Sequence, residues 1–174
     1  MDHSENAFEE LFSRYKNQAV NYVWQTVRSQ QTAEEICQDV FLKVYKNAQS
    51  FDRTKRFKPW FWTIVRNATM DRLRKKQDLL YEDLFKNEED QTIEIEDSNE
   101  NIELSLIQKM EAQRLQKLIE KLPANQKEVL SLQVFSEMNY EEIANVTGKS
   151  ISSIKSLLFR ARKSLTELME KENE

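Results

Sequence analysis

Two stretches of this chain place cations where phosphates could be met. Along YEEIANVTGKSISSIKSLLFRARKSL (140–165), Ser152, Ser153, Lys155, Ser156, Arg160 and Lys163 fall on the outward side of a helical repeat. Short hydroxyls and cations at that spacing suit a helix that enters a major groove and bonds to base edges and phosphates. In FDRTKRFKPWFW (51–62), Phe51, Phe57, Trp60, Phe61 and Trp62 crowd among Arg53, Lys55, Arg56 and Lys58. Rings beside cations stack unpaired bases while the charges hold the backbone, but at this density most rings belong to a core, and one or two at most should reach a ligand. Enzyme chemistry has no comparable set. His3 is the single histidine, at a terminus expected to fray; the carboxylates mostly cap helices or lie in a linker; no glycine loop cradles a nucleotide. One cysteine and one histidine cannot build the usual zinc site, so no catalytic group, metal or cofactor is expected.

The elements that must position these residues are helices. With one glycine and two prolines in 174 residues, a β-rich fold would lack its turn residues, and the expectation is an all-α protein. The strongly apolar stretch around Trp60 to Val65 is far too short to cross a bilayer, and the N-terminus MDHSENAFEE is acidic. A soluble, cytoplasmic protein without membrane insertion is expected.

Charge divides the chain. Residues 1–77 carry 14 Lys/Arg against 9 Asp/Glu, residues 78–110 carry 2 against 11, and residues 111–174 carry 10 against 10. Asn87 to Asn101 (NEEDQTIEIEDSNEN) combines like charges with little apolar content and reads as a flexible linker. Residues 53–76 hold nine Lys/Arg and one acid, and residues 149–163 hold five Lys/Arg and no acid. Either patch alone reads more simply as a solvated helix face; two of them separated by an acidic tether favour a polyanionic ligand.

Thr32 and Glu35 have capping-box spacing, and Cys37, Val40, Phe41, Val44 and Ala48 then form a buried stripe. The opposite face carries Glu35, Gln38, Asp39, Leu42, Tyr45 and Lys46, where a leucine and a tyrosine among acids suggest a partner surface. Pro59 fits the first turn of the next helix, with Phe61, Ile64, Val65 and Ala68 inward and Thr63, Arg66, Asn67, Met70, Asp71 and Arg74 outward, before a cationic end at Arg72, Arg74, Lys75 and Lys76. Beyond the linker, Ile102, Leu106, Met110, Leu118 and Leu122 mark a helix stopping near Pro123, and Val129, Leu130, Leu132, Val134 and Phe135 mark another. Asn139 with Glu142 forms a second capping box; Ala144 permits close helix approach; Gly148 makes the turn; Ser150 caps a helix whose Ile154, Leu158, Ala161 and Leu165 face inward. That is a helix-turn-helix, against the alternative of a helical hairpin with no DNA role.

AEEICQDVFLKVYKN (33–47) with FKPWFWTIVRNATMDRLRKK (57–76), and residues 140–165 quoted above, together resemble a bacterial sigma factor of the extracytoplasmic-function group. Similarity runs over nearly the whole chain, including Leu122 and Pro123, and only the acidic linker lacks pattern. The resemblance implies two helical domains: sigma region 2 over 1–77, an acidic linker over 78–101, and a region 4 helix-turn-helix over 102–174. It implies that Glu35, Gln38, Asp39, Leu42 and Tyr45 bind the clamp helices of core RNA polymerase. It implies that Phe51, Arg53, Lys55, Arg56, Lys58, Trp60, Arg66, Asn67, Arg74 and Lys75 contact the minus-10 element, with flipped-base capture near Phe51 to Trp60. Ser152, Ser153, Lys155, Ser156, Arg160, Arg162 and Lys163 would read the minus-35 element. Partners are then core RNA polymerase, promoter DNA and an anti-sigma factor, and the function is promoter recognition and transcription initiation.

The chain departs from the family pattern at Lys149, Leu157 and Phe159. Leu157 stands where an arginine is frequent, so phosphate affinity is expected to lean on Lys155, Arg160 and Arg162. The sequence pI near 5.3 is low for a DNA binder, and the acidic linker is expected to screen the basic patches until the chain meets polymerase, leaving the free chain a weak promoter binder. Two other functions are weighed. A stand-alone helix-turn-helix regulator leaves the Leu42 and Tyr45 face and the aromatic-basic loop without a purpose. A helical adaptor would use the basic faces on acidic proteins.

Overall fold

The computed structural model describes the backbone of residues 3–84 and 114–172 and the side chains of 6–76 and 114–171; every element among them is helical. The described elements are α1 (His3–Val27), α2 (Gln30–Asn47), a 3-10 turn (Ala48–Ser50), α3 (Phe57–Leu84), α4 (114–120), α5 (Ala124–Ser136), α6 (Tyr140–Thr147) and α7 (Ile151–Glu172). Expectations for Asn87 to Asn101 and for Ile102, Leu106 and Met110 fall outside the described residues. Residues 78–84, assigned above to the linker, are the last turns of α3.

α1, α2 and α3 pack on one another as a three-helix unit. The patterns set out above leave α1 unassigned, yet its Ala19, Tyr22 and Val23 are fully buried, at the spacing of one helix face. α1 ends at Arg28, which takes the left-handed conformation (φ 59°) and lets the chain reverse into α2. The start of α2 differs from expectation. Ser29 is the cap, accepting from the Thr32 amide, while Glu35 accepts from Gln31 Nε2 one turn back. Ser29 is free to cap because the left-handed Arg28 has already broken the helix. The buried face of α2 is Ala33, Ile36, Cys37, Val40, Phe41 and Val44. Ala48 is exposed, since the 3-10 turn changes the rotation per residue and carries it off the stripe.

Rings join the three helices. Phe41 meets Phe12 at 4.7 Å and Phe61 at 5.5 Å, Tyr15 meets Phe61 at 5.0 Å, and Trp62 stands edge-on to Tyr22 at 5.4 Å. Phe61 and Trp62 are therefore core residues, in line with most of the aromatic loop being structural.

α5, α6 and α7 form the second unit, with Leu118 of α4 and Leu122 also buried. Asn139 Oδ1 accepts from the Glu142 amide and Glu142 Oε2 accepts from the Asn139 amide, so the expected capping box is present. Gly148 ends α6 at φ 69°, a conformation costly for a side-chain-bearing residue, and Ser150 Oγ accepts from the Ser153 amide at the start of α7. Ile154, Leu158 and Ala161 are buried and Leu165 is half-buried, as the spacing predicts. Val134 is 59% exposed, because apolar character alone does not say which side of α5 its neighbours cover.

The two units also meet each other: α1 packs on α5 and α3 on α6. Buried side chains of both units belong to one continuous cluster.

Candidate nucleic-acid interface

α7 sorts its side chains into two faces. Ser152, Lys155, Ser156, Arg160 and Lys163 are exposed and recur every three or four residues along one side; Ser153 is half-buried beside its cap. Arg162 is exposed and donates to Gln133 Oε1 of α5 at 2.8 Å, which holds it at the margin of that side. Phe159, noted above only as a departure, lies in the middle of the cationic face and is 69% exposed. The signal was available: 152, 155, 156, 159, 160 and 163 share one helical phase. An exposed ring flanked by cations and hydroxyls provides apolar contact for a thymine methyl.

Leu157 overturns one expectation. It is only 5% exposed and belongs to the core cluster, with Ile154, Leu158 and Ala161 on the same side of α7. Position 157 in this chain packs inward and offers no phosphate contact for a side chain to lose. The reason lies in the helix: 154, 157, 158 and 161 repeat at three- and four-residue steps, so 157 shares the inward phase.

On the first unit, Phe51 and Trp60 sit 4.8 Å apart and half-buried. With Asn47, Ser50, Asp52, Lys55 and Ile64 they line an open cleft of about 410 Å³. Asp52 shapes its rim: the carboxylate accepts from the Thr54 amide at 3.0 Å and the Thr54 hydroxyl at 2.7 Å, and these bonds hold its pKa below the usual value. The folded loop is thus favoured at neutral pH. A cleft walled by two rings, with a lysine at its mouth, has the chemistry of a pocket for an unstacked base. Arg53, Lys55, Asn67, Arg74 and Lys75 are exposed around this unit, Arg74 pairing locally with Asp71 at 2.8 Å.

Three of the expected minus-10 cations are not open to solvent partners alone. Arg66 Nε donates to Glu128 of α5 at 2.7 Å, Arg56 lies 3.4 Å from Glu142 of α6, and Lys58 Nζ donates to the Glu137 carbonyl at 2.9 Å. Periodicity placed Arg66 on the outer face of its helix, where α5 largely covers it, whereas Arg56 of the basic segment stays 76% exposed despite its contact.

The polar side of α2 is open. Glu35, Gln38, Asp39, Leu42 and Tyr45 are all exposed, Leu42 and Tyr45 by about half, with Tyr45 braced edge-on against Phe8 at 5.1 Å. Glu35 also lies 3.9 Å from Arg72 of α3. Cys37 on the other side of α2 is a core thiol whose pKa burial pushes up to about 12, so it is neutral and unreactive at physiological pH. Among the described residues no cluster of His, Cys, Asp and Glu could hold a metal, and no helix is long and apolar enough to cross a membrane.

Comparison with known proteins identifies the family of both units. Residues 11–78 match the family model described as Sigma-70 region 2, and residues 112–165 match that of Sigma-70, region 4. The chain is 32% identical to the ECF RNA polymerase sigma factor RpoE of Cereibacter sphaeroides over 89% of its length and 82% of that protein. It is 28% identical to the ECF RNA polymerase sigma factor SigM of Bacillus subtilis over 92% of its length and 93% of that protein. The sigma factor RpoE of Bartonella quintana, solved with the anti-sigma factor NepR, superposes with a TM-score of 0.73 at 25% identity, covering 94% of this chain and 97% of that one. CnrH, solved with the cytosolic domain of CnrY, shares the fold with a TM-score of 0.69 at 21% identity, covering 96% of this chain and 90% of that one. With a helix-turn-helix on one unit, an aromatic-cationic cleft on the other and both regions matched in order, this chain belongs to the extracytoplasmic-function sigma factors, which recognise promoters and direct transcription initiation by RNA polymerase.

Proposed function

We propose that the labour is divided among three surfaces. The exposed side of α2, through Glu35, Gln38, Asp39, Leu42 and Tyr45, holds core polymerase; half-exposed apolar groups ringed by acids and amides suit a protein partner that supplies apolar contacts and cations. The cleft at Phe51, Lys55 and Trp60 accepts an unstacked base of the minus-10 element, with Arg53, Arg56, Lys58, Arg66, Asn67, Arg74 and Lys75 following the strand. Unstacking costs a few kcal/mol per step, which stacking on rings and phosphate contacts offset. The outer face of α7, from Ser152 to Lys163 and including Phe159, reads the minus-35 duplex, with Arg162 at its edge on the backbone.

In this reading the first domain runs to the end of α3 at Leu84, the second begins near 102, and the acidic stretch between them is a tether. The observation that carries it is the segregation of α7, with Leu157 and Leu158 inward and Lys155, Phe159 and Arg160 outward on one helix. An anti-sigma factor is a further partner, by likeness to the relative solved with NepR. Phosphodiester chemistry belongs to the polymerase, and the protein works in the bacterial cytoplasm where that enzyme is. A stand-alone regulator would give no purpose to the α2 surface. Run-off transcription with purified bacterial core polymerase tests the proposal: specific transcripts should appear only when this protein is added, and their absence, together with failure to bind core polymerase, would refute it.

A further inference from the structure

The cleft assigned above to an unstacked base shares its wall with a second cavity. Phe51 and Trp60, 4.8 Å apart, line both the cleft of about 410 Å³ and a groove of about 560 Å³ that runs on to α1. From Asn47 to Phe57 the chain deals its side chains between the two. Asn47, Ser50, Asp52 and Lys55 line the cleft, whereas Ala48, Gln49, Arg53 and Phe57 line the groove. Phe51 and Trp60 thus form one aromatic partition with a cavity on either side.

The groove has the chemistry of a nucleotide site. Phe8 and Tyr45 join Phe51, Phe57 and Trp60 around it, and Phe8 braces Tyr45 edge-on at 5.1 Å. Ring walls of this kind offer stacking to any base. Lys46 and Arg53 are exposed at its margin. Among the described residues no carboxylate lines the groove and no ion pair holds either cation. Gln49 adds an exposed amide that can donate to and accept from a base edge. A planar apolar body carrying a phosphate satisfies rings, cations and amide together. Of the five α2 residues assigned to core polymerase only Tyr45 lines the groove, so the two surfaces adjoin without coinciding.

An apolar wedge between bases breaks the stacking of both neighbours. A base seated in the cleft against Phe51 and Trp60 leaves a neighbour in the strand unstacked, and the other side of the same partition supplies the ring surface that neighbour has lost. We propose that the groove between α1 and the end of α2 is a second base pocket, which takes another unstacked base of the same strand while Lys46 and Arg53 hold its phosphates. The inference rests on the minus-10 assignment above and extends it from one captured base to two.

The test uses the holoenzyme on a promoter found by run-off transcription, with the non-template strand left unpaired across the minus-10 element. Each unpaired base is replaced in turn by an abasic site, and fluorescence anisotropy reads affinity. Two positions should each lose about tenfold. Ala48→Trp fills the groove from an exposed position and should abolish the loss at one of them; Ser50→Trp fills the cleft in the same way and should abolish the loss at the other. Circular dichroism checks that each variant folds. Lys46→Ala with Gln49→Ala leaves the rings in place, and should lower affinity for the intact strand about threefold and shrink the abasic loss at the groove position alone. That variant decides the matter if Ala48→Trp fails to fold. A single sensitive position, removed by Ser50→Trp, overturns the second pocket and leaves the minus-10 reading standing. Two sensitive positions that ignore Ala48→Trp overturn it as well. Weaker binding of Ala48→Trp to core polymerase, with the abasic pattern unchanged, gives the groove to a polymerase side chain instead and overturns the proposal. If neither tryptophan alters any position, both readings fall.

Discussion

Arg66 and Glu128 meet at 2.7 Å although 62 positions separate them in the chain. Both lie mostly out of water, so removing one charge strands the other in a poorly solvated place. Glu128→Gln should lower the free energy of unfolding by about 1–2 kcal/mol. Replacing both, as Arg66→Met with Glu128→Leu, should cost less than the single change. Urea denaturation of the three chains decides; equal losses for the single and double variants would contradict the argument.

Neighbours on α7 should respond oppositely. Leu158→Ala removes a buried side chain and should cost about 2–5 kcal/mol of stability. Phe159→Ala should leave stability within about 0.5 kcal/mol yet weaken binding of the holoenzyme to a minus-35 duplex several-fold. Thermal melts set beside duplex titration separate the two effects.

Leu42→Ala with Tyr45→Ala should lower affinity for core polymerase by about tenfold or more, if these are the anchors of the α2 surface. The loss of the Tyr45 contact with Phe8 should cost about 1 kcal/mol of stability. A competition pull-down against the unmodified chain reads the affinity, and retention of full binding would remove α2 from the polymerase contact.

Cys37 reports on the fold. Its pKa is raised from 9.0 to about 12 by burial, with Glu34 adding to the rise, so folding favours the protonated thiol. The contribution to stability is complete below about pH 9 and is lost as pH rises toward about 12. Alkylation at pH 8 should be slow in the native chain and fast in denaturant, and Cys37→Ala should flatten the alkaline decline in melting temperature. Rapid native alkylation would contradict the burial.

At Gly148 the penalty for a side chain comes from the backbone alone, since an added Cβ would meet nothing within 4 Å. Gly148→Ala should cost about 1–2 kcal/mol through its φ of 69°, and Gly148→Asn clearly less. Melting temperatures of the pair are the check. Equal losses would point to crowding instead.

Much of the second unit was legible in the residues. The Asn139 and Glu142 box, the Gly148 turn, the Ser150 cap and the inward run of Ile154, Leu158 and Ala161 all rest on contacts within four residues, where spacing and hydrogen-bonding chemistry fix the outcome. The open side of α2 followed in the same way. Errors came where a local rule met a competitor: Ser29 took the cap from Thr32 after Arg28 broke the helix, and Ala48 left the stripe when the helix tightened. Leu157 was set aside as a missing cation by analogy with relatives, although its own helical phase puts it inside.

The amino-acid order by itself determined which helices form, which stripe of each is apolar and which residues of α7 point outward, because these depend on a period of 3.6 residues and on caps one turn away. Tertiary structure alone decided that Arg66 meets Glu128 and Arg56 meets Glu142, 86 positions apart. Cations and carboxylates are plentiful along both units, and Coulomb attraction does not choose among them by sequence separation. The choice is made when apolar faces of α1 and α3 seat against α5 and α6 and bring one set of charges within reach.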